Sequence, residues 1–231
     1  MKGESLDFSP HCSKLYNKVI SFIKSMIKTI IFDLAEVYLK GFYGVEDYLE
    51  DLLNLKSNEI KDKLQGPEFK LLMEGKITED EFWKKLIQRN NWDIGINEFK
   101  KAIRNNFDEI KGTREIIEKL KDNGYKLGLI SDHSKEWIDH CNNKFDYHKL
   151  FHSTQYSFEV ECCKTDKKTF ELLLKKLGEK AENCLFIDDS EKNINVAKSI
   201  GLNTIQFKDS EQLKKELISF SIKIDKAPPL L

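Results

Sequence analysis

Four polar groups stand at or just after the carboxyl ends of short apolar runs. They are Asp33 after Ile30-Ile31-Phe32, Ser131-Asp132 after Leu129-Ile130, Lys164 in a loop ahead of a helical segment, and Asp188-Asp189 after Leu185-Phe186-Ile187. Their types suit phosphoryl transfer. A carboxylate such as Asp33 can attack phosphorus and form an aspartyl phosphate, dividing one hard displacement into two easier ones. Asp188 and Asp189, brought close to Asp33, repel it unless a divalent cation lies between, and an oxygen-only donor set open to solvent suits magnesium. Ser131 can donate a hydrogen bond to a phosphate oxygen, and Lys164 can offset the negative charge of the transition state. Taken singly, each has a plainer reading. An Asp after a strand is commonly a turn or helix cap, Ser131-Asp132 a turn, and Asp188-Asp189-Ser190 ahead of Glu191 an N-cap whose acids complement the helix dipole. Their common placement makes the case, because the strands of a parallel sheet end on one crevice.

The elements that must position these groups follow from the pattern of apolar residues. Buried strands are expected at 27–32, 126–130, 184–187 and 204–207, with a weaker one near 150–153. Helical periodicity runs over 113–121, 167–177 and 191–200, the second and third ending before Gly178 and Gly201. Strands alternating with helices imply an α/β fold, a doubly wound parallel sheet covered on both faces. About 95 residues separate the first strand from the second, far more than a simple crossover needs. That interval carries helical signals. Val45, Tyr48, Leu49, Leu52 and Leu53 form an apolar stripe, and Thr78-Glu79-Asp80-Glu81 reads as a capping box leading into Phe82, Trp83, Leu86 and Ile87. We expect a small helical cap over residues 41–110, inserted into a core made of 26–40 and 111–231. Residues 1–25 are expected to be an extra helix or tail. Phe42, Tyr43 and Trp83 are expected to pack inside the cap rather than line a cleft.

Composition narrows the setting. With 38 Lys and Arg against 39 Asp and Glu, no basic field points to nucleic acid or an anionic membrane. Five cysteines lack the paired short spacings of a zinc site or a disulfide framework and read as reduced thiols. The N-terminal apolar pairs are broken by Lys18, Lys24 and Lys28, so no stretch is long enough for a signal peptide or a membrane span. A cytoplasmic protein acting on a small molecule is the expectation.

The chain resembles the haloacid dehalogenase superfamily, chiefly magnesium-dependent phosphatases with a Rossmann-like core. Ile31-Phe32-Asp33-Leu34 resembles its first motif, Leu129-Ile130-Ser131-Asp132 the second, and Lys164-Thr165-Asp166 with Phe170 the third. Leu185-Phe186-Ile187-Asp188-Asp189-Ser190, followed by Asn193, Ala197 and Gly201, resembles the fourth, the most specific of the set. The resemblance spans residues 27–207 and includes the subgroup with an all-helical cap. It implies Asp33 as nucleophile and magnesium ligand and the backbone carbonyl of Ala35 as a second ligand. Asp188 and Asp189 would complete the metal site, and Ser131, Asp132 and Lys164 would bind the substrate phosphate.

The departures are as informative. Ala35 stands where the usual phosphatases carry the Asp that protonates the leaving oxygen, position 36 is Glu rather than Gly, and the prolines common around motif three are Thr165 and Lys167. A branch of sugar phosphate phosphatases resembles the chain more closely, having a small residue at the Ala35 position followed by a polar residue and Val. General acid catalysis contributes about a hundredfold to ten-thousandfold. Its absence favours leaving groups of low pKa, namely anomeric, acyl or aryl oxygens, unless Glu36 serves as the donor. Two other readings compete. One is a phosphonatase cleaving a carbon–phosphorus bond through a Schiff-base lysine such as Lys56, Lys61, Lys63 or Lys70. The other is a catalytically weak protein of this fold that binds a phosphate ligand or a protein partner.

Overall fold

A computed structural model describes residues 27–224. The expectation for residues 1–25 lies outside that range. Five strands form one sheet: β1 (Thr29–Phe32), β2 (Lys126–Ser131), β3 (Ser153–Tyr156), β4 (Cys184–Asp188) and β5 (Asn203–Gln206). Every neighbouring pair is parallel, in the order β3-β2-β1-β4-β5, so β1 is central.

Side chains alternate across the sheet as a pleated strand requires. Ile31, Ile130 and Phe186 face a cluster with Phe170, Leu173 and Ile194 from the helices Lys167–Leu177 and Glu191–Ser199. Ile30, Phe32, Leu127, Leu129 and Leu185 face the other cluster, which includes Ile116, Ile117 and Leu120 of the helix Thr113–Asp122. Helices therefore cover both faces, as the sequence pattern implies for a doubly wound sheet.

The fifth strand departs from expectation. The weak strand near 150–153 is displaced, because His148–Leu150 forms a 3-10 turn and β3 begins at Ser153. Its sequence Ser-Thr-Gln-Tyr has no apolar run to signal it. It is held by pairing with β2 and by the buried Gln155 amide, which donates to the Thr169 carbonyl at 2.7 Å.

Between β1 and the helix Thr113–Asp122 lie five further helices: α1 (Val45–Leu53), α2 (Ser57–Leu64), α3 (Pro67–Met73), α4 (Glu79–Asn90) and α5 (Ile96–Asn106). The capping box of α4 forms as read, with the Glu81 amide donating to Thr78 Oγ1 at 3.3 Å and the Thr78 amide donating to Glu81 Oε2 at 2.8 Å. Phe82, Trp83, Leu86, Phe99 and Ile103 are buried between these helices. The cluster is continuous with the apolar layer beneath the sheet, so the insertion packs onto the α/β core rather than standing apart.

Candidate active site

Register explains how residues far apart in sequence meet. Phe32 pairs with Leu129 on one side and Ile187 on the other, so the residues after it on β1 run beside the ends of β2 and β4. The Asp33 amide donates to the Ile187 carbonyl at 2.9 Å, extending the ladder by one step and fixing Asp33 beside Asp188. Asp33 Oδ1 accepts the Leu34 amide at 2.7 Å, and Oδ2 pairs with Lys164 Nζ at 2.5 Å. Lys164 also donates to Asp188 Oδ2 at 2.8 Å. Asn193 donates to both oxygens of Asp188, and the Ser190 amide donates to Oδ1 at 2.8 Å. The helix beginning at Glu191 thus orients the inner carboxylate, while the half-buried Asp189 faces the cavity.

The site holds more negative than positive charge. Asp33, Asp188 and Asp189 each offer a carboxylate oxygen within 4.8 Å of the others. Burial raises the Asp33 pKa well above its ordinary value; Lys164 opposes that shift, and the charges of Asp188 and Asp189 add to it. Asp189 is raised by burial and then by Asp188. Burial works against the charge of Lys164, but the carboxylates of Asp188, Asp33 and Asp132 outweigh it and hold the ammonium protonated. Lys164 alone does not neutralise this cluster. Three hard carboxylate donors converging without enough cationic charge are a donor set that fits a divalent cation.

Around this cluster is a cavity of about 210 Å³. Its lining combines the polar Asp33, Asp132, Lys164, Asp189, Ser190 and Asn193 with Phe42, Tyr43, Phe69, Met73, His133 and Trp137, and includes Ala35 and Glu36. Ser131 and Asp188 are fully buried and do not line it. Ser131 Oγ is enclosed without a hydrogen-bond partner at the end of β2, a free donor below the cavity. Both carboxylate oxygens of Asp132 accept the Lys164 backbone amide, at 3.0 and 3.1 Å. Asp132 therefore clamps the loop that carries the lysine.

Ala35 and Glu36 occupy a tight turn after β1. The Leu39 amide donates to the Leu34 carbonyl at 2.9 Å, and Glu36 takes a left-handed φ of 58°. Glu36 Oε1 accepts the Gly41 amide at 2.8 Å. Burial raises the Glu36 pKa, the Gly41 amide offsets part of that shift, and the charge of Asp189 adds to it. Gly41 is required by close approach, since a Cβ there would meet Ala35 Cβ at 2.9 Å.

Several features were not legible in the sequence. Phe42 and Tyr43 were expected inside the insertion, but both line the cavity, Phe42 half-buried and Tyr43 exposed; Trp83 alone of the three packs fully inside. Phe69 and Trp137 carried no signal beyond ordinary helical apolar positions. His133 follows Asp132 directly, and its ring meets Phe107 and Trp137 edge to face. Burial and then the Lys164 charge lower its pKa to about 3, so the imidazole is neutral. Lys56, Lys61, Lys63 and Lys70 do not line this cavity; among the described residues Lys164 is the lysine that does.

Comparison with known proteins identifies the fold and the family. The D-ribitol-5-phosphate phosphatase of Bacteroides thetaiotaomicron is 26% identical over 207 residues, covering 83% of this chain and 97% of the relative. A haloacid dehalogenase family enzyme of the same organism, solved as a complex with magnesium and inorganic phosphate, superposes with a TM-score of 0.66 at 23% identity, covering 79% of this chain and 95% of the other. A HAD-like family hydrolase from Porphyromonas gingivalis superposes with a TM-score of 0.69 at 21% identity, covering 86% and 99%. A family model for haloacid dehalogenase-like hydrolases matches residues 30–207, a span that contains every strand end described above except the first residue of β1. The chain belongs to the haloacid dehalogenase-like hydrolases.

Proposed function

We propose that the protein is a magnesium-dependent phosphatase that hydrolyses a small phosphorylated metabolite, a sugar phosphate or similar ester, through an aspartyl phosphate on Asp33. The observation that carries this reading is the buried carboxylate of Asp33, paired with Lys164 at 2.5 Å and set within 4.8 Å of Asp188 and Asp189 at the floor of a cavity. The phosphatase relative and the magnesium–phosphate complex of a structural neighbour support it. The helices between residues 41 and 110 act as a cap that supplies the leaving-group side of the cavity.

Asp33, Asp188 and Asp189 would hold magnesium together with the Ala35 carbonyl, and the cation would neutralise the carboxylates and the incoming phosphate. The chain's own groups do the rest. Lys164 draws the phosphate toward Asp33 and stabilises charge on its equatorial oxygens; the Ser131 hydroxyl, enclosed and without a partner, would have to be uncovered to donate to one of them. An Asp33 oxygen forms a bond to phosphorus as the bond to the leaving oxygen breaks. Water then attacks phosphorus, returning the Asp33 carboxylate and inorganic phosphate. The side chain at 35 is a methyl group and donates no proton, so the leaving oxygen departs bearing negative charge and is protonated by solvent. Lysine chemistry of the phosphonatase kind has little support: of Lys56, Lys61, Lys63 and Lys70 none lines the cavity that holds Asp33, and only Lys70 lines the neighbouring one that shares Phe42, Tyr43 and Phe69 with it.

A phosphate-release screen over sugar phosphates, nucleotides and aryl phosphates, with and without magnesium, tests the proposal. Magnesium-dependent release that disappears in Asp33→Asn is expected. Binding of the same compounds without release by the wild type would instead favour a non-catalytic ligand-binding protein.

A further inference from the structure

The two sides of the cavity differ in chemistry, and the difference bears on what leaves. The phosphate side carries the charged groups. The apolar part of the lining is Phe42, Tyr43 and Phe69, backed by the buried Met73 and Trp137. Phe42 and Phe69 are half-buried, with ring centroids 4.9 Å apart, and Phe42 stacks on Trp137 at 5.5 Å with the planes 18° apart. A second cavity of about 240 Å³ adjoins the first, sharing Phe42, Tyr43 and Phe69 with it and lined otherwise by Gln65, Gly66 and Lys70, so the aromatic surface continues outward to a polar rim.

Polar capacity on this wall is the Tyr43 hydroxyl, with Gln65 and Lys70 farther out in the adjoining cavity. Glu36 is engaged by the Gly41 amide, and both ring nitrogens of His133 are enclosed, packed beneath Phe107 and Trp137. A sugar or polyol leaving group would bring several hydroxyls against Phe42 and Phe69, where they would lose more water than the Tyr43 hydroxyl could replace. Flat aromatic groups, by contrast, stack on such faces in offset or edge-on geometry. The methyl of Ala35 imposes a separate condition, since without a proton donor the departing oxygen must be a good leaving group by itself. Anomeric, acyl and aryl oxygens meet that condition. Of these, the aryl oxygen is the one whose attached group the wall fits.

We infer that the substrate is an aryl phosphate, a phosphorylated phenol whose ring lies against Phe42 and Phe69 while its phosphate meets Asp33 and Lys164. The inference rests on the phosphatase reading and sets an aryl ester in place of the sugar ester within it.

The test compares the magnesium-loaded wild type on 1-naphthyl phosphate, a hexose 1-phosphate and acetyl phosphate, which have aromatic, anomeric and small acyl leaving groups. The naphthyl ester is expected to show the highest kcat/KM of the first two, chiefly through a low KM. Phe69→Leu is expected to lower the naphthyl-to-acetyl ratio of kcat/KM by about fivefold. A hexose 1-phosphate hydrolysed with higher kcat/KM than the naphthyl ester overturns the aryl assignment and leaves the phosphatase reading standing. A ratio unchanged in Phe69→Leu also overturns it, because the wall is then only packing. Release from none of the three esters overturns the phosphatase reading itself.

Discussion

Glu79 of α4 accepts the indole N–H of Trp137 at 2.8 Å, although Trp137 belongs to the helix Lys135–Phe145 on the other side of the insertion. Its carboxylate is 1% exposed and also takes an indole N–H from Trp83 at 3.2 Å and a two-pronged pair from Arg104 of α5. One carboxylate thus joins two inserted helices to the core through a residue that lines the cavity.

Glu79→Gln is expected to destabilise the protein by about 2 kcal/mol, because Arg104 loses its charged partner in a partly enclosed place. Burial opposes the charge of Glu79, but Arg104, Trp137 and Trp83 outweigh it and lower its pKa. A lowered folded pKa means that the contribution is complete above the ordinary carboxyl range and is lost as pH falls through the lowered value. Thermal melts of wild type and variant should therefore differ at neutral pH and converge in acid. A constant difference down to pH about 3 would show that the charge of Glu79 is not the source.

Divalent cation binding should be visible without any substrate. Three carboxylates held within 4.8 Å make the folded chain a better ligand than the unfolded one, so millimolar magnesium should raise Tm. Asp189→Asn removes the cavity-facing member, and the magnesium-dependent rise should shrink to less than half, roughly, of the wild-type shift. If Tm in the wild type does not respond to magnesium, the three acids do not form the cation site.

Much of this centre was legible because its residues occupy strand ends. Asp33, Ser131 and Asp188 each follow a run whose apolar character betrays a buried parallel strand, and parallel strands share an end. The aromatic wall and the Glu79 junction were not legible, for a physical reason. Glu79 lies in the first turn of a capped helix, where an acid ordinarily faces water and complements the dipole. Only the packing of α5 and of the helix Lys135–Phe145 against that turn makes it a buried acceptor. Phe42, Phe69 and Trp137 sit at helical or loop positions whose spacing is the same whether they fill a core or face a cavity. The weak strand slipped by three residues because Ser153–Tyr156 is polar, and its burial comes from neighbours rather than from its own composition.

Restoring an acid at position 35 should change selectivity more than capacity. Ala35 is half-buried and lines the cavity, so an added carboxyl there would face the proposed reaction site. Ala35→Asp is expected to raise turnover of an alkyl phosphate by at least about tenfold while changing aryl phosphate turnover little, flattening the dependence of rate on leaving-group pKa. The slope of log kcat/KM against leaving-group pKa, measured over a series of esters in both proteins, reads this directly. Equal slopes would mean that the methyl group of Ala35 does not set the leaving-group preference.

Glu36 is the acid nearest to that position in sequence, and its geometry assigns it another task. With φ at 58°, its backbone reverses direction after β1, and its Oε1 receives the Gly41 amide, tying the turn to the segment that carries Phe42. An amide oxygen can accept the same bond, so Glu36→Gln should fold normally and keep kcat/KM on an aryl phosphate within about threefold of wild type. The decisive readout is the pH profile. Burial raises the Glu36 pKa, so a catalytic acid here would sustain the rate at low pH and let it fall as pH rises through the raised value. That falling limb would vanish in Glu36→Gln. Superimposable profiles are expected, since the proposed mechanism gives the leaving oxygen no donor; a limb lost in the variant would identify Glu36 as the acid that replaces the one missing at Ala35.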